Sequence, residues 1–296
     1  MSGMAISWNA LKIFNSDVKS NDKCMPFLKK TIDEPKFSKF DKQTRSMGNG
    51  ISGKVEIYKS KKIANFNYAV KTYHAKEDFD SKAEYREKVL HEYRILSSLH
   101  NDYIIRVFKF EVSIPGTTIK LYLEAGSDFS SLIPQLSKVE LFSYWKQLCF
   151  GVLYLHSLDI CHRDLKIENL VLVNNTLKII DFVTAHKVIG DSIGLVGSPK
   201  YAAPETFKYL NYDGKAADVW SIGILFYYFA TLQFPWKMAK LEDNRFKSYI
   251  DGKSILDILP NEVIDFISGV LEVNPKKRVK ISDFFFNPWF DSITIN

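Results

Sequence analysis

A short hairpin between polar residues occupies the stretch 161-CHRDLKIENLVLVNNTLKIID-181. Two apolar runs flank Asn174-Asn175, and such a polar pair between alternating apolar residues is typical of a tight turn joining antiparallel strands. Polar side chains stand at both ends of the hairpin: Asp164, Lys166 and Asn169 before the first strand, and Asp181 after the second. Because a hairpin brings these ends together, the sequence predicts that three oxygen-bearing side chains and one ammonium group converge on one point.

This set of side chains suits phosphoryl transfer, in which a base orients a hydroxyl group and Mg²⁺ needs hard oxygen ligands. The stretch resembles the protein-kinase pattern H-R-D-L-K-x-x-N followed by D-F-G, although Val183 stands where that family has glycine. The resemblance implies an α+β, two-lobed fold. We therefore expect a small antiparallel β-sheet N-lobe with one main helix and a larger, mainly helical C-lobe.

A glycine-rich segment, 47-MGNGISGKV-55, precedes the hairpin and leads into an alternating strand. A dinucleotide-binding fold would need a strand, then the glycines, then a helix. Glycine before a strand instead indicates a flap whose backbone can approach anionic phosphate oxygens closely. A plain flexible hairpin turn is the other interpretation of this segment taken alone.

A lysine in an apolar strand is costly unless it is paired, and Lys71 lies within the predicted strand 68–73. Glu92 lies beside the apolar stripe of a predicted helix over 81–99, which looks like the αC helix of kinases. We expect an ion pair between Lys71 and Glu92. A further strand over 119–124 resembles the one that leads into the adenine-binding connector. In kinases an acidic residue near this connector holds the ribose, and Asp128 is a guess for that residue here.

The second half of the chain continues the resemblance. The apolar period of 139–157 predicts a long buried helix, and 197-GSPKYAAPE-205 looks like the kinase segment ending in A-P-E. The segment 218-DVWSIG-223 and the late Arg278, expected to pair with Glu205, complete a match that covers Met47 to Phe290. The Leu-His ending of the αC-like helix and the GLVGS segment before A-P-E are similar to the fungal Npr/Hal group of transporter-regulating serine/threonine kinases.

The resemblance assigns roles residue by residue, with ATP and Mg²⁺ as the implied nucleotide and metal. The catalytic set is Asp164, Lys166, Lys71 and Glu92, and the metal would be held by Asn169 and Asp181. The nucleotide would be bound by Met47, Gly48, Asn49, Gly50, Ile51, Ser52, Gly53, Lys54, Val55, Ala69, Lys71, Glu124, Ala125 and Val171. A regulatory spine would consist of Leu96, His162 and Phe182, anchored by Asp218.

Composition bounds the partners and the location. The 296 residues carry a net charge of +6 that is spread along the chain, with no arginine-rich patch, so we expect no nucleic-acid partner. The three cysteines lack metal or redox spacing, and the longest apolar run, 219–230, is too short to span a bilayer. We expect a monomer in the cytoplasm, with nuclear access left open. The resemblance implies that its substrates are proteins that carry Ser or Thr.

Three regions follow from this reading: an N-terminal extension over 1–40 that is partly disordered, an N-lobe over 41–124 and a C-lobe over 125–292. Arg163 before Asp164 suggests control by charge in the loop that follows the hairpin. The usual phosphate-acceptor position falls on Gly194, so we hypothesise that phosphorylated Ser192, or Asp191, takes that role. Glu168 would favour a basic residue in the substrate.

Val183 leaves a second interpretation open, in which the protein is a pseudokinase or scaffold. Glycine tolerates unusual backbone angles that a β-branched residue does not, so valine could restrict the change between inactive and active conformations or misplace Asp181. A small-molecule or lipid kinase is a third interpretation. The intact segment 197–205, which positions peptides in protein kinases, argues against that one.

Overall fold

The computed structural model describes residues 35, 37–39, 41–49, 53–73, 82–112, 118–188, 190–194, 196–253 and 256–295. The predicted extension over 1–40 lies almost entirely outside these ranges. Gly50, Ile51 and Ser52 of the glycine-rich segment also lie outside them.

A five-stranded antiparallel sheet forms the first part of the described chain. Its strands are β1 (Lys42–Asn49), β2 (Gly53–Lys59), β3 (Asn67–Tyr73), β4 (Val107–Val112) and β5 (Ile119–Glu124), in the order β1-β2-β3-β5-β4. The central strand β3 is rich in β-branched and aromatic residues, and Tyr68, Ala69 and Val70 are buried. Helix α1 (Lys82–Ser98) lies between β3 and β4 in the chain and contacts β4.

The predicted hairpin is present in the register that the sequence implies. Among short strands β6 (Ser127–Asp128), β7 (Ile160–Cys161), β8 (Leu170–Val173) and β9 (Thr176–Ile179), the last two pair antiparallel, with Val173 opposite Thr176. Asn174 and Asn175 have φ values of 49° and 62°, which is the left-handed pair that a two-residue turn needs. Three two-residue strands follow: β10 (His186–Lys187), β11 (Ser192–Ile193) and β12 (Asn211–Tyr212).

Helices dominate the rest of the described chain. They are α2 (Lys138–Ser157), α3 (Pro204–Lys208), α4 (Gly214–Thr231), α5 (Asn244–Ile250), α6 (Asn261–Val270) and α7 (Pro288–Ser292). Ser137 and Glu140 form a capping box at the start of α2, and Asp213 caps α4 through the amides of Lys215 and Ala216. Helix α4 is apolar on all sides because it is buried on all sides.

The large hydrophobic core packs α2 against α4 and against the β8–β9 hairpin. Trp145 at the centre of α2 is fully buried and donates its indole N–H to the carbonyl oxygen of Ile222 at 3.0 Å. The predicted fold class is confirmed: an antiparallel sheet with one main helix precedes a mainly helical region. Within the described residues, we find no helix whose length and apolar character would let it cross a bilayer.

Candidate active site

Strand β3 carries Lys71 into contact with helix α1 and with the end of the hairpin. The Lys71 Nζ donates to Glu92 Oε1 at 3.0 Å and Oε2 at 2.9 Å, and to Asp181 Oδ1 at 3.1 Å. Burial alone would lower the pKa of Lys71, but the carboxylates of Glu92 and Asp181 reverse this effect and raise the pKa. The predicted Lys71–Glu92 ion pair is therefore present, and the ammonium group stays charged.

The loop before β8 surrounds Asp164 with donors. Lys166 Nζ lies 2.7 Å from Asp164 Oδ2, and Asn169 Nδ2 lies 2.8 Å from the Asp164 carbonyl and 3.1 Å from Oδ2. The backbone N–H of Ser198 donates to the other carboxylate oxygen at 3.1 Å. The carboxylate of Asp164 is thereby fixed in orientation, as a base that must meet an incoming hydroxyl group requires.

Asp181 follows the hairpin in a left-handed conformation with a φ of 64°. Burial would raise the pKa of its carboxyl group, but Lys71, His162 and Lys166 lower it below its ordinary value. Asp181 is thus held as a carboxylate. The preceding residue, Ile180, donates its N–H to the backbone carbonyl of Asn169 at 3.0 Å, which ties the end of the hairpin to the loop before β8.

A buried scaffold holds these two loops together. Asp218 on α4 accepts from the backbone N–H groups of His162 and Arg163, both at 2.8 Å. The His162 ring meets the Phe182 ring edge-to-face at 4.9 Å, and Leu96 and Phe182 belong to one buried cluster. These contacts agree with the spine that the sequence predicts for Leu96, His162, Phe182 and Asp218.

Val183 does not disturb this arrangement. The unusual backbone angle falls on Asp181, whereas Val183 is not among the described residues with positive φ. Its side chain is 38% exposed. The conformational freedom of glycine is therefore not used at position 183 in this structure.

The described members of the predicted nucleotide-binding set lie on five strands and on the connector that follows β5. Met47, Gly48 and Asn49 end β1; Gly53, Lys54 and Val55 begin β2; Ala69 and Lys71 lie on β3; Glu124 ends β5, Ala125 follows it, and Val171 lies on β8. At Gly53 a Cβ atom would stand 2.5 Å from the Thr72 carbonyl oxygen, so only glycine fits there. At Gly126 a Cβ atom would stand 2.9 Å from Val171, which places the connector directly against β8.

The guess that Asp128 faces a ribose is not supported by its contacts. Asp128 accepts from the Ser130 hydroxyl at 2.7 Å and from the Ser131 amide at 3.1 Å, so its side chain is hydrogen-bonded within its own loop. Glu124 pairs with Lys178 at 3.2 Å on the side of the connector that faces β9.

Arg163 has backbone partners instead of the predicted negative charge. Its guanidinium donates to the carbonyl oxygens of Thr184 at 2.8 Å and Ile193 at 3.0 Å. Ser192 is 0% exposed, and its hydroxyl lies 3.1 Å from His186 Nε2. The hypothesis that phosphorylated Ser192 pairs with Arg163 disagrees with this conformation, because a buried hydroxyl is closed to a modifying enzyme.

His186, Ser192 and Cys161 form one small polar cluster under this loop. The Cys161 sulfur lies 3.5 Å from His186 Nδ1, and burial raises the pKa of the thiol to about 12. Sequence reasoning missed this cluster, and it also missed His91 on α1, whose Nε2 lies 2.6 Å from the Ala185 carbonyl oxygen. Only the position of His91 beside Glu92 could have drawn attention to it.

The expected clamp between Glu205 and Arg278 is present. The guanidinium meets the carboxylate at 2.6 Å and 2.9 Å in a bidentate arrangement, and both side chains are buried. It joins the start of α3 to the segment after α6.

The residues present fit a magnesium nucleotide. Among the described residues there is no cluster of three or more His, Cys, Asp or Glu side chains able to hold a metal by themselves. Asp181 and Asn169 offer one carboxylate and one amide oxygen, which suits Mg²⁺ because it keeps waters and binds substrate phosphates as well. The positive charge of Lys71 beside them suits a phosphate group.

Comparison with known proteins agrees with this geometry. Residues 42–290 match the family described as the protein kinase domain, and the chain belongs to that family. The probable serine/threonine-protein kinase RTK1 of Saccharomyces cerevisiae is 34% identical over 277 residues, which cover 84% of this chain and 44% of that protein.

Two further relatives match the predicted fungal group. The nitrogen permease reactivator protein of Saccharomyces cerevisiae is 34% identical over 230 residues, covering 73% of this chain and 29% of its own. The serine/threonine-protein kinase hal4 of Schizosaccharomyces pombe is 30% identical over 282 residues, covering 87% and 44%. The predicted similarity to the Npr/Hal group is confirmed, and the chain spans less than half the length of these relatives.

Proposed function

We propose that this chain is an ATP-dependent serine/threonine protein kinase that transfers the γ-phosphate to Ser and Thr hydroxyl groups of protein substrates. One observation carries the proposal: Lys71 contacts both Glu92 and Asp181, while Lys166 lies against Asp164 and lowers the pKa of Asp181. Charged groups from β3, α1, the loop before β8 and the end of the hairpin thus meet on one cleft. The relatives named as serine/threonine kinases support the same class.

Each charged residue has a distinct role in this proposal. Asp164 orients the substrate hydroxyl group and accepts its proton, while Lys166, bonded to the same carboxylate, offsets the negative charge that develops nearby. Lys71 binds the nucleotide phosphates and is itself oriented by Glu92. Val55, Ala69 and Val171 enclose the adenine.

Asn169 and Asp181 would hold the metal ion. Mg²⁺, when bound, neutralises charge on the transferring phosphoryl group. The protein's own part is to keep Asp181 ionised, which the neighbouring Lys71 ammonium group does by lowering the pKa of that carboxyl. Asn169 Nδ2 donates to Asp164, so the amide oxygen is the atom left to face a cation.

The proposal also covers the lobe boundaries, the oligomeric state, the location and the substrate preference. We assign residues 41–124 to the N-lobe and 125–292 to the C-lobe of a monomer that acts in the cytoplasm, with access to the nucleus left open. Glu168 is exposed beside Tyr201 and would favour a basic residue in the substrate.

The pseudokinase interpretation rested on Val183. Two features argue against it: the left-handed φ lies at Asp181, and the valine side chain is partly exposed. We therefore keep the pseudokinase interpretation only as the alternative that the following experiment tests.

The test is transfer of radiolabelled γ-phosphate to generic protein substrates by wild-type, Asp164→Asn and Asp159→Asn proteins. Asp159 is a matched control because it is an exposed aspartate, paired with Lys215, five positions before Asp164. Removing a general base costs about 10²–10⁴-fold in rate. We expect that loss in Asp164→Asn alone.

Val183→Gly, assayed beside them, should transfer phosphate at a rate similar to wild type or higher. Equal background transfer in wild-type and Asp164→Asn proteins would contradict kinase activity and favour a scaffold.

A further inference from the structure

A lysine is held in place on the surface beside Asp164. Lys200 is exposed, and its Nζ lies 4.9 Å from the centre of the Phe234 ring. An ammonium group over an aromatic face is attracted by the negative charge of the ring face. Lys200 therefore presents its charge from a preferred position instead of sampling all of its rotamers.

The ring beneath Lys200 is itself fixed by two tyrosines. Phe234 meets Tyr201 edge-to-face at 5.3 Å and Tyr228 at 4.8 Å. Tyr201 is buried, and its hydroxyl reaches both the Ile167 amide and Glu168 at 3.5 Å. Side chains that are anchored to the loop before β8 thus support the platform under Lys200.

The backbone places Lys200 close to the reacting group. Ser198 donates its N–H to Asp164, and the Tyr201 N–H returns to the Ser198 carbonyl at 3.0 Å, which closes a turn over 198–201. The ends of such a turn lie within about 7 Å of each other. A substrate hydroxyl held at Asp164 would therefore bring the neighbouring residues of its own chain within reach of Lys200.

No carboxylate among the described residues pairs with Lys200, so none of these residues compensates its charge. We propose that Lys200 is a specificity residue that selects substrates with an anionic side chain, a carboxylate or a phosphate, close to the acceptor hydroxyl group. This inference rests on the proposed kinase function. It adds a positively charged subsite to the negative one that Glu168 would provide.

The test uses peptides with one Ser acceptor in which a single flanking position holds Ala, Glu, phosphoserine or Lys. Values of kcat/KM are measured for wild-type, Lys200→Gln and Lys200→Glu proteins. Lys240→Gln is the matched control, because Lys240 Nζ also lies 4.9 Å over a ring, that of Phe207.

We expect an anionic side chain at one flanking position to raise kcat/KM by about 2- to 5-fold over Ala, the size of a partly exposed charge pair. The gain should lie in KM, since the contact is the same before and during transfer, and it should shrink at high salt. Lys200→Gln should abolish the preference, Lys200→Glu should transfer it to the Lys peptide, and Lys240→Gln should retain it. The Glu and phosphoserine arms tell the two sources of charge apart.

Peptide binding, followed by fluorescence anisotropy in the same proteins, separates this inference from the proposed function. If no peptide is phosphorylated but anionic peptides bind more tightly only when Lys200 is present, kinase activity is wrong and the subsite stands. If the wild type shows no anionic preference in either assay, or Lys200→Gln keeps it, Lys200 has no such role.

Discussion

Two buried ion pairs hold this protein together, and they differ in what surrounds them. Lys71–Glu92 joins β3 to α1 and has Asp181, 32% exposed at its side chain, as a third partner on the cleft. Glu205–Arg278 is closed on every side: the guanidinium also donates to the carbonyl oxygens of Ala216 at 2.7 Å and Glu272 at 2.8 Å. The further partner of Lys71 is a partly exposed carboxylate, whereas the further partners of Arg278 are backbone carbonyl groups.

The difference separates a binding arrangement from a structural one. Lys71, whose third partner is the partly exposed carboxylate of Asp181, can turn its ammonium group towards a phosphate group when one binds. A guanidinium that is bonded to a carboxylate and two carbonyl groups, with the Trp220 ring 5.0 Å away, has no direction left in which to bind anything else. We therefore expect changes at Arg278 to act on stability and changes at Lys71 to act on activity.

The largest effect is expected for Arg278→Ala. Removing one partner of a buried pair leaves Glu205 as an uncompensated buried charge, which costs about 3–5 kcal/mol of folding free energy. Denaturant unfolding, followed by circular dichroism, measures this loss. Arg94→Ala is the matched control, because Arg94 pairs with Glu87 at 2.7 Å on the surface and such pairs contribute about 0–1 kcal/mol. Similar losses in both variants would mean that the Glu205–Arg278 pair is not a structural clamp.

The next effect is expected for Lys71→Met. Loss of one preorganised charged donor should lower the phosphate-transfer rate by about 10²–10³-fold. The variant should lose less stability than Arg278→Ala, since Glu92 retains the hydroxyl group of Tyr73 as a donor. Initial rates and unfolding curves of the two variants provide the measurement. A rate within tenfold of wild type would remove Lys71 from the proposed catalytic set.

The smallest effect is expected at the Cys161–His186–Ser192 cluster, because its histidine is only partly buried. Burial, assisted by Arg163 and His91 and opposed by Asp218, lowers the pKa of His186 below its ordinary value of 6.5. A lowered pKa in the folded state means that neutral His186 stabilises the fold fully above about pH 6.5. That contribution is lost as the pH falls through the folded-state pKa.

Unfolding measured between pH 7.5 and pH 5 therefore tests the cluster. Wild type should lose more stability over this range than His186→Gln, while the exposed His100→Gln variant should follow wild type. Parallel curves for wild type and His186→Gln would show that the cluster does not depend on a neutral imidazole.

Local chemistry explains which parts could be predicted. The turn at Asn174-Asn175, the alternation of β5 and the apolar period of α2 depend on residues within a few positions of one another. The ion pairs Lys71–Glu92 and Glu205–Arg278 could also be expected, because an isolated charge in an apolar segment requires a partner and the resemblance indicated which one.

Two predictions disagree with the side-chain contacts in the structure, and one residue was not singled out at all. Ser192 was the hypothesised phosphate acceptor because it is the hydroxyl nearest to Gly194, yet pairing of β11 with β12 places its buried side chain against His186. Asp128 was a guess for the ribose, and its own loop occupies it instead. Lys200 gave no signal at all, since Phe234 lies 34 positions further along the chain.

By itself, the sequence determined the order of strands and helices, the hairpin that gathers Asp164, Asn169 and Asp181, and membership in a kinase-like class. The predicted elements and the hairpin follow from periodicity and turn preference, which act along the chain, whereas the class was implied by the resemblance of the motifs to protein kinases. Only the tertiary structure decided that the left-handed angle falls on Asp181 and not on Val183, that Arg163 meets backbone carbonyls, and that Lys200 is held over a ring. Those outcomes depend on which surfaces pack together, and packing is set by the whole chain at once.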